Sequence, residues 1–502
     1  MTELGTVVST LEGPNTSSFS FVVSAGKSVR KNAFVQVYSE EGLVVGWVRE
    51  IFRVNKYFER ADSVSEYEKS GAFTEQFPAG EWEYVLANCG VLGVLDSGAL
   101  KRCGFPPAPG ARVLAADQQV VSTVAGFDGG VELGELLNHG IPVRVNLSRL
   151  LQKHLAILGM SGSGKSHAAA VVLEEVLSRK AGEGRLAAVV FDAHGDYLGF
   201  ADASTAFGAH TKVVDCGDLR ISTKHLTASF LREILPEITA TGAREFSRTL
   251  QRLSKERGNA GLEVSEIVDA VEGDESLKEN VRLPLLGWLE ELSEISVFGR
   301  ADNPDLREVI RPGKLAVFDL SGVNSLKKKQ LLVSFVAKML FALRRQQEIP
   351  PYLMLVEEAH NFAPEKASRE NALSKNIIET VAREGRKFGA CLCLVSQRPV
   401  QLSTTALSQC NSFLVMRVTN PYDVEHIAKS CEGIDRSAQN QITSLRTGEG
   451  ILLGEAVNFP LFLRVRQRKS AKAGKSKSVE EQALEFEESA SAKLDGDEKA
   501  FI

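Results

Sequence analysis

The chain has 502 residues, of which 25% are charged and 43% hydrophobic, and its formal net charge is −5. This is the composition of a folded chain long enough for two to four domains, which excludes a low-complexity or disordered protein. It also excludes a globally basic nucleic-acid binder, so any DNA contact must come from local patches or from a lumen enclosed by several subunits. From the N-terminus, TVVST, FSFVV, AFVQVYS and LVVGWVREI are short alternating or β-branched runs separated by Gly, Pro and Ser clusters. They predict a small β-barrel or sandwich over residues 1–115. A polar helical or loop excursion interrupts it at 56–73, and PPAPG (106–110) marks a turn near its end.

From about Val143 onward, apolar runs alternate with amphipathic helical patterns. HLAIL (154–158), AAVVF (187–191), KLAVFDL (314–320), YLMLV (352–356), ACLCLV (390–395) and SFLVMRV (412–418) are nearly continuous apolar runs. Such runs predict the central strands of a parallel sheet covered on both faces. The pattern is mainly helical between Leu226 and Val309, as in EFSRTLQRLSKE and LPLLGWLEELSEI. The α/β core is therefore expected in two parts, 116–225 and 311–468, around a helical insertion at 226–310. From Arg464 to Lys477 there are seven basic residues and no acidic one, followed by an acid-rich end. A basic linker and a C-terminal helix are expected at 469–502, with contact to DNA phosphates as the alternative use of the basic run.

The seven cysteines contain no C-x-x-C pair and are expected as reduced thiols of a cytoplasmic protein. Cys391 and Cys393 should share one side of a buried strand. MTELGTVVST has neither the basic start nor the apolar core of a signal peptide, and no apolar run is long enough for a membrane span.

The densest chemistry lies at Gly159-Met160-Ser161-Gly162-Ser163-Gly164-Lys165-Ser166, followed by His167. The segment fits G-x-x-x-x-G-K-[ST], between a predicted strand and a predicted helix. The glycines let backbone N–H groups approach phosphate, and the helix N-terminus favours the anion. Lys165 supplies a charge for the β- and γ-phosphates, and the Ser166 hydroxyl can ligate Mg²⁺. ATP and Mg²⁺ are thus the expected cofactors. A plain glycine-rich turn would not need the flanking strand and helix.

Hydrolysis also needs a group that positions water. LMLVEEAHNF (353–362) ends an apolar strand with Glu357 and Glu358. Adjacent strand residues point to opposite faces, so different roles are expected: Glu357 in the Mg²⁺ shell through water, Glu358 orienting and activating the attacking water. Gln397, at the tip of CLCLVSQRP, can sense the γ-phosphate or hold that water; ordinary strand-end polarity is the plainer reading. Arg383 and Arg386, in VAREGRKFG, either complement a helix C-terminus or act as an arginine finger on a neighbouring subunit's nucleotide. Asp192, His194 and Asp196, in VVFDAHGDY, are candidates for supporting or intersubunit contacts. Lys327–Lys329, in SLKKKQ, is either an exposed helix start or a pore-facing loop.

The order GMSGSGKS, FDAHGDY, LVEEAHNF, REGRKFG, SQRP resembles the HerA branch of the FtsK–HerA ring motors. RVTNPYD (417–423), GEGILLGEA (448–456) and FPLFLRVR (459–466) also look like positions of that family, so the resemblance runs to about residue 470. One departure is Asp196 where the family carries the longer Glu, which puts in doubt any contact requiring its reach. The resemblance implies a RecA-like P-loop ATPase core preceded by a HAS-type barrel. It further implies a homohexamer that translocates double-stranded DNA through its pore, with nucleotide held between subunits. A NurA-like nuclease acting in DNA end resection, or another effector in anti-phage defence, would dock on the barrel ring. A nucleotide-gated scaffold with little motor activity is the alternative. A small-molecule kinase would leave the barrel and the helical insertion without a role.

Overall fold

The computed structural model describes residues 2–9, 13–55, 58, 61–70, 83–127, 129–235, 237–257, 261–367, 372–431, 434, 436–472, 479–484 and 486–487. The first seven strands are β1 (Glu3–Val8), β2 (Ser18–Val23), β3 (Phe34–Ser39), β4 (Gly42–Asn55), β5 (Glu83–Asp96), β6 (Ala99–Lys101) and β7 (Arg112–Ala115). They form an antiparallel sheet in the order β2-β1-β7-β3-β4-β5-β6. β2 also pairs with β5, from Ser18 opposite Gly90 to Val22 opposite Leu86. Six strands thus close into a barrel, with β6 attached to β5. Closure removes the unpaired edges that a sandwich would leave. Alternation does the rest: Phe19, Phe21 and Val23 of β2 point inward to Val7, Val35, Val37, Val44 and Val113. Of the excursion expected at 56–73, Ala61–Ser70 is helical, while 56–57, 59–60 and 71–73 lie outside the described residues.

The second sheet contains β8 (Val131–Leu136), β9 (Pro142–Val145), β10 (Leu155–Leu158), β11 (Ala187–Asp192) and β12 (Thr211–Asp215). A short pair, β13 (Ile221–Ser222) and β14 (Phe298–Gly299), stands apart from it. The sheet continues with β15 (Leu315–Asp319), β16 (Tyr352–Val356), β17 (Ala390–Ser396), β18 (Ser412–Met416), β19 (Glu449–Gly454) and β20 (Leu461–Val465). Its order is β12-β15-β11-β16-β17-β10-β18-β19-β20-β8-β9. The stretch from β12 to β18 is parallel, as the continuous apolar runs predict, and β19, β20, β8 and β9 extend it antiparallel. Every residue of β10, β11, β16, β17 and β18 is buried.

Helices Ala228–Ile234, Ala240–Glu256, Val264–Glu272 and Glu279–Ile295 lie between β13 and β14. Thr227 and Thr239 cap two of them by accepting from the N–H groups of Phe230 and Gly242. Phe246, Leu250, Ile267, Leu285 and Leu289 form their buried face. The parallel pairing of β13 with β14 closes the segment at its base.

One expectation is corrected at the C-terminal side. The basic run is only partly solvated where it is described: Arg464, Lys469 and Lys472 are exposed, but Arg466 and Ser470 are packed against a helix. Arg466 donates to Glu174 and Glu175, both at 2.7 Å, and the Lys469 and Ser470 N–H groups donate to Glu174. Glu174 is fully buried on helix Lys165–Leu177, so residues 466–470 form a strap across that helix. The expected C-terminal helix lies largely outside the described residues, which include only 479–484 and 486–487 beyond 472. Among the described residues, no helix is long and apolar enough to cross a membrane, no disulfide forms, and all seven cysteines are buried.

Candidate nucleotide site

The parallel strands deliver their carboxyl ends to one edge, where open α/β sheets bind ligands. β10 is held between β17 and β18, and the loop Gly159–Ser166 leaves its tip. Gly162 and Gly164 take φ angles of 73° and 106°, which a side chain would strain. The Gly159 N–H donates to the Ser396 carbonyl at 3.3 Å and the Met160 N–H to the Arg417 carbonyl at 2.8 Å. On the far side, the Gly448 N–H donates to the Ser163 carbonyl at 3.0 Å. The loop is thus fixed by backbone contacts from both neighbouring strands.

A cavity of about 440 Å³ opens at this point. Ser161, Gly162, Gly164, Lys165, Ser166, His167, His194, Asp196, Glu357, Glu358 and Gln397 line it. The fold therefore brings most of the expected loop residues, both glutamates and Gln397 to one cavity, while Gly159, Met160 and Ser163 do not line it. Ser166 Oγ donates to Glu357 Oε1 at 3.0 Å. Lys165 Nζ donates to the Met160 carbonyl at 3.0 Å. The His167 ring contributes less, since its Nε2 lies 2.7 Å from the Arg466 carbonyl and ties the helix to the strap.

The expectation that Glu357 and Glu358 point to opposite faces is overturned. β16 ends at Val356, so neither glutamate is in the strand. Glu358 adopts a φ of 47°, uncommon for a residue with a side chain, and this turn brings it to the same cavity as Glu357. Both carboxyls are buried, and Oε2 of each has no hydrogen-bond partner. Burial first, then Asp192 and Asp196, push the Glu357 carboxyl up to about 9. Burial also raises Glu358, against the opposing pull of Lys165 and His194. Burial lowers Lys165, against the attraction of Glu358, Glu357 and Asp196. A site so crowded with carboxylates and so poor in partners fits a cation and a phosphate chain better than it fits water.

Asp192 takes a different part. Its carboxylate accepts from the backbone N–H groups of His194, Gly195, Asp196 and Tyr197 at 2.8–3.3 Å. It shapes the loop that carries His194 and Asp196 to the cavity. Arg383 and Arg386 do not line the cavity. They are exposed on helix Lys375–Phe388, which ends at Gly389 with φ 69°, and Arg383 faces Glu379 at 3.8 Å. Lys327 pairs with Glu291, and Lys329 donates to the Ala193 carbonyl at 3.4 Å. Both stand at the start of a helix that Ser325 caps. Sequence reasoning left His360 without a role, although it lies in the same motif as the glutamates. It also missed the position of Arg466 on the loop's own helix, because nothing local links residues 292 apart.

This fold and this site define a P-loop nucleoside triphosphatase. Residues 131–340 match the family model described as "Helicase HerA, central domain". A probable helicase of Methanocaldococcus jannaschii is 28% identical over 86% of this chain and 85% of its own length. The DNA double-strand break repair helicase HerA of Pyrococcus furiosus is 26% identical over 89% of this chain and 90% of its own. Among solved structures, VirB4 of Thermoanaerobacter pseudethanolicus shares the fold, with a TM-score of 0.52, 13% identity, and coverage of 68% of this chain and 97% of that one. Over most of its length the chain is similar to helicases of the HerA family, and its central segment matches that family's central domain.

Proposed function

We propose that this chain is an ATPase that drives double-stranded DNA through the pore of a homohexamer, in partnership with a NurA-like nuclease docked on the barrel ring. The observation that carries the reading is the Ser166–Glu357 hydrogen bond beside Lys165 and Glu358 in one cavity. Ser166 and Glu357 would hold Mg²⁺, and the unpartnered Oε2 of Glu357 leaves a lone pair for it or its water. When bound, the ion neutralises charge on the β- and γ-phosphates. Lys165 and the loop N–H groups bind the phosphates, Glu358 directs the attacking water, and Gln397 contacts the γ-phosphate or that water. The exposure of Arg383 and Arg386 outside their own cavity is compatible with a finger that completes a neighbour's site. The name of the Pyrococcus furiosus relative supports a role in double-strand break repair.

The test is ATP turnover by the purified protein with and without duplex DNA. Turnover should rise with duplex and fall by on the order of 10²-fold or more in Glu358→Gln. Equal turnover with and without DNA would remove the translocase reading and leave a nucleotide-gated scaffold.

A further inference from the structure

Glu358 has an unusual burden. A non-glycine residue in the left-handed region is strained and persists only where its surroundings hold it. Its carboxylate must also be aimed, because a misplacement of about 1 Å at a reacting group can cost on the order of 10²-fold in rate. Lys165 and His194 flank it on the cavity side, but His194 Nε2 is 4.0 Å away and its side chain is 61% exposed. An imidazole that exposed and that distant holds a carboxylate only weakly.

The opposite side is different. His360 is buried, with Nδ1 at 3.3 Å from Glu358 Oε2 and 3.1 Å from Ser396 Oγ. Ser396 is fully buried at the tip of β17, and its Oγ also accepts the Arg398 N–H at 3.1 Å. The carbonyl of the same Ser396 accepts the Gly159 N–H that begins the phosphate loop. One residue of β17 therefore touches the loop through its backbone and the His360 ring through its side chain. Burial first, then the charges of Arg398, Lys165 and His194, push the His360 pKa down to about 4. The ring is accordingly neutral near pH 7 and acts as a hydrogen-bonding wedge rather than as a second charge.

We infer that His360, with its ring set by Ser396, is a positioning residue that aims the Glu358 carboxylate and keeps it in register with the phosphate loop. The inference rests on the ATPase reading of the cavity. In the structure Nδ1 is hydrogen-bonded to the Ser396 hydroxyl, while Glu358 Oε2, 3.3 Å from Nδ1, has no hydrogen-bond partner; in the other tautomer Nδ1–H is within reach of that oxygen. A small rotation of the ring can therefore trade one contact for the other. The Asn side chain can place a nitrogen near the position of Nδ1, whereas Ala and Gln cannot reproduce that contact.

The experiment is steady-state ATP turnover of the full chain as His360→Ala, His360→Asn, His360→Gln, Ser396→Ala and Glu358→Gln, with MgADP affinity measured on each. His360→Ala should lower kcat by about 10- to 100-fold at unchanged KM and unchanged MgADP affinity. His360→Asn should recover most of that loss and His360→Gln little of it. Ser396→Ala should fall between wild type and His360→Ala. Adding His360→Ala to Glu358→Gln should cost nothing further, since both act through one carboxylate. Full turnover in His360→Ala, or equal rates for Asn and Gln, overturns the inference, as does a further loss in the double variant. Should His360→Ala fail to fold, the Asn–Gln comparison decides on its own. A Glu358→Gln protein that still hydrolyses ATP would instead sink the ATPase assignment of Glu358, so the two failures are distinguishable.

Discussion

Glu357 has one carboxyl oxygen on Ser166 and one on nothing, with Asp192 and Asp196 close enough to repel a charge. Its ordinary value of 4.5 becomes about 9 in the fold. Below pH 4.5 the carboxyl is protonated in both the folded and unfolded chain, and pH has no leverage through it. Between about 4.5 and 9 the unfolded chain releases the proton while the folded one keeps it. The folded state then binds more protons, so stability falls as pH rises across that window. Without Mg²⁺ or nucleotide, thermal melts should show the wild-type transition temperature declining from pH 5 to pH 9. Glu357→Gln, which cannot ionise, should show a flatter profile and a relative gain at the alkaline end. Parallel profiles would mean that Glu357 is ionised in the folded chain.

At the level of elements, helix Lys165–Leu177 is held at both ends by different parts of the chain. Its N-terminus carries Lys165 and Ser166 to the cavity. Its last turns carry Glu174 and Glu175 under the strap. Burial alone would push the Glu174 carboxyl up, but hydrogen bonds from Ser470 and the charge of Arg466 outweigh it and hold it below its ordinary value. Arg466 is nearly as buried, and it also donates to the Glu132 carbonyl of β8 at 3.1 Å. Removing one member of a buried pair leaves the other uncompensated, at a cost of about 3–5 kcal/mol. Three contacts to Glu174 survive, from Lys469 and Ser470. Arg466→Ala should therefore destabilise by about 2–4 kcal/mol in denaturant titration, with Arg466→Lys recovering part of the loss. A change below about 0.5 kcal/mol, the range of an ordinary surface substitution, would show that the strap does not bear on the helix.

These two elements also show what a sequence can and cannot disclose. The loop Gly159–Ser166 is legible because its function is written into consecutive backbone positions, and the strands at its sides because burial on both faces leaves continuous apolar runs. The facing of Glu358 is not legible. Strand alternation holds only while the strand lasts, and β16 stops one residue before the first glutamate. The strap is not legible either, since the same RVRQRK pattern serves a solvated linker equally well until Glu174 is known to be beneath it. In the barrel, the turn clusters predicted the first four strands, but the fourteen-residue β5 that closes the sheet needed its partners, β2 and β4, to be recognised.

Across the whole molecule, the question is how the barrel is joined to the α/β core. Phe34 and Trp47 belong to barrel strands, yet both pack with the core's hydrophobic cluster rather than with the barrel's own. Phe34 lies 5.2 Å from the His139 ring and 5.6 Å from the Phe459 ring, and its N–H donates to His139 Nε2 at 3.3 Å. Polar contacts flank this apolar patch. Asn32 donates to Gln441 at 2.8 Å, and Ser437 reaches Glu50 at 3.4 Å. The helix Arg436–Ser444 that receives them leads directly into Thr447 and Gly448, whose contacts reach Gly162 and Ser163 of the phosphate loop. The apolar patch is the stronger part of the junction, because the part-buried polar contacts beside it replace hydrogen bonds to water and contribute little net. Truncating a buried Phe to Ala costs about 3–5 kcal/mol where the cavity cannot collapse. That loss would fall on the junction and leave the barrel interior, built on Phe19, Phe21 and the valines, untouched. Calorimetry of the wild-type chain should therefore give one cooperative transition. Phe34→Ala should split it into two, with the barrel melting apart from the core. A Gln441→Ala variant should keep a single transition at slightly lower temperature. If Phe34→Ala also melts in one step, barrel and core are coupled through the helix Arg436–Ser444 and not through the apolar patch.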